Sequence, residues 1–193
     1  MKKKTKKIPW DLLPLIMALA VLPLVAMGRK VSVTLGKYSW FADGNFQYDF
    51  FMYGKMMVFM ILVIWEIAIL ADRCLIRRKK LLLDKKWIAM GVYGLLVILA
   101  AAFSIDKSLS VKGMWEQYET VWTLLGYLIT AFAALQIISS QNQVQILAGA
   151  LCVGAGVQAA IGLFQTAGLD FWNSSVGKSL ISLGMGENSV SFQ

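Results

Sequence analysis

The chain has 193 residues, 58% of them hydrophobic, and carries 19 Lys and Arg against 11 Asp and Glu, a formal charge of +8. Its mean hydropathy of +0.64 is more than a soluble core can cover, since an ordinary domain is about 45–50% apolar. Histidine is absent and cysteine occurs twice, so the commonest general base, a metal site and a nucleotide-driven pump find no support and no cofactor is expected.

Five apolar runs, near residues 11–28, 50–71, 87–103, 121–138 and 144–166, predict an all-α polytopic integral membrane protein of about five transmembrane helices. A helix needs roughly 20 apolar residues to cross a hydrocarbon core of about 30 Å; the third run is slightly short. Lys2, Lys3, Lys4, Lys6 and Lys7 form a basic tail over residues 1–10. The first run then carries Pro14 and Pro23. Ala26-Met27-Gly28 loosely fits a signal-peptide cleavage site, but the prolines and the spans that follow favour an uncleaved helix. Arg29, Lys30 and Lys37 come next, and an aromatic stretch from Phe46 to Tyr53 is expected along the membrane interface ahead of the second run.

Within that second run Lys55 is expected to snorkel, and Glu66 is its one acid. Glu66 is expected to reach the interface or to pair with a basic residue of the 73–86 loop; an ion- or proton-coupling role is the sharper alternative. The loop holds Arg73, Arg77, Arg78, Lys79, Lys80, Lys85 and Lys86. Basic blocks before the first run and after the second place the amino terminus in the cytoplasm. Such blocks point to topology and lipid headgroups, with no nucleic-acid partner. Trp10 and Trp87 then mark the inner face, and Trp40, Phe41, Trp115, Trp122, Phe171 and Trp172 the outer.

The Ser104–Thr120 connection is polar, carries both charge signs and lies outside in this topology. It is expected to begin as a turn capped by Ser104 or Asp106 and to continue as an amphipathic segment. After the fourth run, the uncharged stretch Ser139–Gln145 leads to a fifth rich in Gly149, Ala150, Gly154, Ala155, Gly156, Ala159, Ala160 and Gly162. Small residues at four-residue spacing allow close helix packing, so this helix, with Gln158 bonding to a neighbour, is expected to face the bundle interior through Gly154, Gly156 and their neighbours. Cys74 and Cys152 fall on the cytoplasmic side and inside the fifth helix, and no disulfide is expected. Residues 167–193 form a polar outer tail.

Ser104, Ser108, Gly113, Tyr118-Glu119 and Tyr127, followed by Gly162-Leu163-Phe164-Gln165, resemble the early motifs of the O-antigen ligase and polymerase family of bacterial envelope glycosyltransferases. Thr120 stands where that family often has glycine. The resemblance covers most of the chain but only the front of the family's architecture, and the tail reads as a chain interrupted before the next motif. It implies a bacterial cytoplasmic-membrane protein, part of a ligase or polymerase that moves a glycan from a polyprenyl-diphosphate carrier to an envelope acceptor. The later half of the family is most closely tied to activity, so the resemblance implies no catalytic residue here and a chain inactive by itself. The carrier diphosphate would need cations, and Arg29, Lys30, Lys107 and Lys112 are the candidates, with Arg29 and Lys112 lining the headgroup's approach. The alternative is a non-catalytic membrane scaffold or a transporter segment; only Gln158 lies near the bilayer midplane, which fits a transporter poorly.

Overall fold

Two prolines shape the first helix. Pro14 sits in the first turn of α1 (Leu13–Ala20), where its missing N–H costs nothing. Pro23 falls in a following tight turn, Leu22–Leu24, after which Val25 is extended; proline cannot donate to an earlier carbonyl and disfavours continuation of the helix. The helical segment Trp10–Leu24 therefore stops short of the expected residue 28. In the computed structural model the described residues are 9–32, 46–49, 51–78, 80–83, 85–113, 117–169 and 174–182. Lys2 to Lys7, Lys37, Trp40, Phe41, Trp115, Phe171 and Trp172 lie outside them.

Helix formation dominates, with one exception that the all-α expectation lacked. Strands β1 (Arg29–Ser32) and β2 (Phe46–Asp49) pair antiparallel, with Arg29 opposite Asp49 and Lys30 opposite Tyr48. Phe46-Gln47-Tyr48-Asp49 alternates aromatic and polar residues, the period-two pattern of a strand. The ladder ends where Asp49 turns the chain. Its carboxylate accepts from the backbone N–H groups of Phe51, Met52 and Tyr53, each at 3.0 Å. Three first-turn donors of α2 (Met52–Ala71) are satisfied by one side chain.

A wider turn, Asp72–Ile76, prolongs α2. Then follow α3 (Lys86–Ala102), α4 (Lys107–Lys112) and α5 (Val121–Ile137). Helix α6 (Gln141–Thr166) starts three residues earlier than expected, because Ser140 and Gln143 form a reciprocal capping box. A short helix, α7 (Ser175–Ser182), lies in the polar tail. Among the described residues two helices, Met52–Ile76 and Gln141–Thr166, are long and apolar enough to cross a membrane, whereas Trp10–Leu24, Trp87–Ala102 and Val121–Ile137 are shorter apolar helices.

Helix α5 is the central element, touching α2 on one side and α3 on another, while α1 lies between α2 and α6. One core joins Leu12, Leu15, Ala133, Ile137 and Leu147. A second gathers Phe59, Leu62 and Val63 of α2 against Gly126 of α5, where an added Cβ would come within 2.8 Å of the Phe59 ring. The α1–α6 contact is set by Gly154, whose added Cβ would meet the Leu19 carbonyl at 2.9 Å. The expectation for α6 holds at Gly154 and at Gln158, which donates to the Pro23 carbonyl, and fails elsewhere. Gly149, Gly156 and Gly162 have nothing within 4 Å, and Leu151, Val153 and Leu163 are exposed. Helix α6 lies at the periphery because α1, shortened by its prolines, covers a single stripe of it.

At one end of the bundle, Arg73 donates to Asp11 at 2.7 and 3.0 Å and to the Gln136 carbonyl at 2.6 Å. Arg77 bridges Asp11 and Asp72. This Arg73 end gathers the start of α1, the ends of α2 and α5 and the start of α3. The opposite, Tyr118 end gathers the β ladder, α4 and the start of α5.

Candidate functional site

The described parts of the Ser104–Thr120 connection, residues 104–113 and 117–120, cap the start of α5. Asp106 Oδ1 accepts from the Leu109 N–H at 3.0 Å, starting α4, while the Asp106 carbonyl accepts from the Ser104 and Ser110 hydroxyls at 3.1 and 3.2 Å. The expected cap is thus Asp106. Helix α4 ends at Gly113, with φ of +79°. An added Cβ there would approach the Thr120 Cγ2 at 3.0 Å and the Gln117 carbonyl at 3.2 Å, so conformation and space both require glycine.

The chain then buries Tyr118, Thr120 and Thr123. The Thr123 hydroxyl donates to the Tyr118 carbonyl at 2.8 Å, and Thr120 Oγ1 accepts from the Thr123 N–H at 3.3 Å. Thr120, the departure from the family pattern, therefore serves as the N-cap of α5.

Tyr118 joins the connection to the β ladder. Its ring meets Tyr53 edge-on at 5.5 Å, and the buried carboxylate of Asp49, 3% exposed, acts on its hydroxyl. The Arg29 guanidinium stacks 3.8 Å from the centre of the Tyr53 ring. Burial first, and then the negative charge of Asp49, push the Tyr118 hydroxyl above its usual pKa, with Arg29 partly opposing.

Arg29 is half-buried against Tyr53, while Lys107 and Lys112 are exposed at opposite ends of α4. The Lys30 backbone pairs in β1, and its side chain lies outside the described residues. The crevice under α4, about 640 Å³, is lined by Met52 and Leu109 as well as Ser104, Asp106, Ser110, Gly113, Gln117 and Glu119, so its two charged groups are both acids.

The cation that does line crevices is Lys55. It borders one of about 240 Å³ with Pro23, Tyr118, Glu119, Thr123 and Tyr127. It also borders one of about 270 Å³ with Pro23, Phe51, Gln158 and Gln165. Gln158 donates to the Pro23 carbonyl at 3.0 Å, the cross-helix bond expected of it. Lys55 is the one basic residue of an apolar run, which singles it out in sequence, but nothing local puts α6 or Glu119 beside it.

Glu66 departs from its expectation. It is completely buried and accepts from Thr130 Oγ1 at 2.8 Å, while its Oε1 has no hydrogen-bond partner among the described residues. Among the described residues it pairs with no basic side chain, and Arg73 is committed to Asp11 and Gln136. Among the described residues no group of three or more acidic, Cys or His side chains could hold a metal ion. Compared with protein families, curated proteins and solved structures, the chain finds no match.

Proposed function

We propose that the chain is a multi-pass protein of a bacterial cytoplasmic membrane, and that its Tyr118 end is the outer, carrier-facing part of a transferase. The transferase moves a glycan from a polyprenyl-diphosphate carrier to an envelope acceptor. The embedding is supported by five apolar helical segments that run alternately between two polar ends. Wide apolar exposure, including Ile61 and Ile64 on α2 and Leu95 and Leu96 on α3, supports it too. Both basic blocks then lie at the Arg73 end, on the cytoplasmic side.

The observation that carries the carrier-facing role is Lys55, which lines two crevices beside Tyr118 and Gln158. A lysine one turn into a membrane helix, with Arg29 nearby on Tyr53, offers charge to a diphosphate whose lipid tail stays in the bilayer. Lys107 and Lys112 stand at the exposed rim and supply long-range attraction.

Binding of a polyprenyl diphosphate to the protein in lipid discs tests this. Replacing Lys55 by Met is expected to weaken binding by about tenfold or more, the scale of one charge-assisted hydrogen bond. Lys112→Ala is expected to change mainly the salt dependence. Unchanged binding in Lys55→Met at normal folding would overturn the assignment.

A second reading, a membrane scaffold, has one observation in its favour: the open small-residue face of α6 at Gly149 and Gly156. On that reading Gly156→Leu abolishes self-association or partner association; on the transferase reading it leaves carrier binding intact.

A further inference from the structure

We infer that the chain carries a site for an anionic phospholipid at the Arg73 end, with an acyl chain in a groove between α2 and α3 and the phosphate on the basic loop. The inference rests on the membrane reading above and is independent of the glycan carrier.

Helices α2 and α3 each pack on α5 and leave between them a groove of about 670 Å³, floored by Leu125, Leu128 and Phe132 and walled by Ile67, Leu70 and Met90. Two glycines of α3 shape it. Gly94 brings α3 close to Leu128, at 3.1 Å from where a Cβ would stand, and Gly91 has nothing within 4 Å. The groove is open because position 91 lacks a side chain.

What covers the groove follows from its Arg73-end mouth. Trp87 closes that end, its ring edge-on to Phe132 at 4.6 Å. Its indole N–H donates to the Leu82 carbonyl at 2.9 Å. Gln136 grips the same residue, donating to the Leu82 carbonyl and accepting from its N–H, both at 2.9 Å. The loop is thereby fastened over the mouth, and it carries Arg78, Lys80 and Lys85, all exposed. Asp72 and Asp11 are engaged by Arg73 and Arg77, and from Arg78 to Lys86 the sequence has five basic residues against one acid, Asp84.

An apolar slot ending at a basic, tryptophan-marked rim matches a lipid with one negative headgroup and a long acyl chain. A zwitterionic lipid fits the slot but gains nothing net from the lysines. Free inorganic phosphate reaches the lysines but gains nothing from the slot.

The test uses the full chain inserted into phosphatidylcholine vesicles and then assembled into discs holding phosphatidylcholine with or without phosphatidylglycerol. Lipid retained on the protein is read by mass spectrometry. Resistance to alkaline extraction from the first vesicles reports the membrane reading by itself, and loss there would overturn that reading. Given insertion, phosphatidylglycerol is expected to be retained about tenfold or more over phosphatidylcholine, the scale of two surface lysines. The Lys80→Gln/Lys85→Gln pair should abolish the preference. Gly91→Leu, which fills the groove without a clash, should reduce retention of both lipids, whereas Gly149→Leu on α6 should not. Equal retention of the two lipids, displacement of the lipid by millimolar phosphate, or no effect of Gly91→Leu would each overturn the site.

Discussion

The two ends of the bundle are fastened by different physics. At the Arg73 end, one acid from the start of α1 holds two arginines from the end of α2, and Arg73 reaches on to a carbonyl of α5. The side chains of Asp11 and Arg73 are only 15% and 14% exposed, so the pair works in a medium far less screening than water. At the Tyr118 end the joints are neutral or local: a carboxylate capping its own helix, a tyrosine edge-on to another, and a glycine in a left-handed turn. An ion-pair joint fails abruptly when one partner goes. A joint built of caps and rings fails by increments. The stiffer chemistry thus sits at the end with the basic loop, and the more adjustable chemistry surrounds the crevices.

The largest effect expected from breaking this contrast is Arg73→Ala, which strands Asp11 beside Arg77 alone and frees the end of α5. A loss of about 3 kcal/mol is expected in unfolding measurements, since removing one partner of a mostly buried pair leaves a poorly compensated charge. Asp49→Ala, which leaves three N–H groups at the start of α2 uncapped, should cost about 2 kcal/mol. Gly113→Ala, forcing a side chain to a positive φ against Thr120, should cost about 1–2 kcal/mol.

The smallest effect is titration of Tyr118. Its folded-state pKa lies above the unfolded one, so the stability it contributes is intact below about pH 10, the ordinary tyrosine value. That contribution falls as pH rises toward the folded value. Tyr118→Phe should flatten this alkaline slope, and a slope equal to wild type would remove Tyr118 as its source.

Glu66 sharpens the comparison from the interior. Asp11 and Glu66 are both acids buried near α2, yet Asp11 has two cations and Glu66 has one hydroxyl. Replacing Glu66 by Met, of similar length and apolar, is expected to be neutral or stabilising. Thermal unfolding well below wild type in that variant would show that the unpaired carboxyl does more for the fold than its contacts account for.

The helical layout was legible because each run is long and bounded by local signals: Pro23 stops α1, Asp106 starts α4, and Ser140 with Gln143 starts α6. Gln158 was legible from its neighbours, as an amide amid small and apolar residues of a helix gains most by bonding across it. The β ladder was not, since its strands are short and its partnership is set by the turn that Asp49 makes into α2. Nor was the exposure of α6, because a small-residue pattern states that a helix can be approached closely without stating where. Glu66 was misplaced because Arg73, two turns on, looked available until Asp11, 62 residues away in sequence, claimed it. At the candidate site the legible part was the loop; the lysine in the crevices depended on α1, α2, α5 and α6 meeting.

The most direct test of the central claim, that the Tyr118 end lies outside a membrane and the Arg73 end inside, is thiol labelling in intact cells in a Cys152→Ala background. A membrane-impermeant maleimide is expected to label a Ser108→Cys variant and to spare Cys74 until the cells are opened. Labelling of Cys74 in intact cells, with Ser108→Cys protected, would contradict the orientation; equal labelling of both would contradict the membrane-spanning bundle itself.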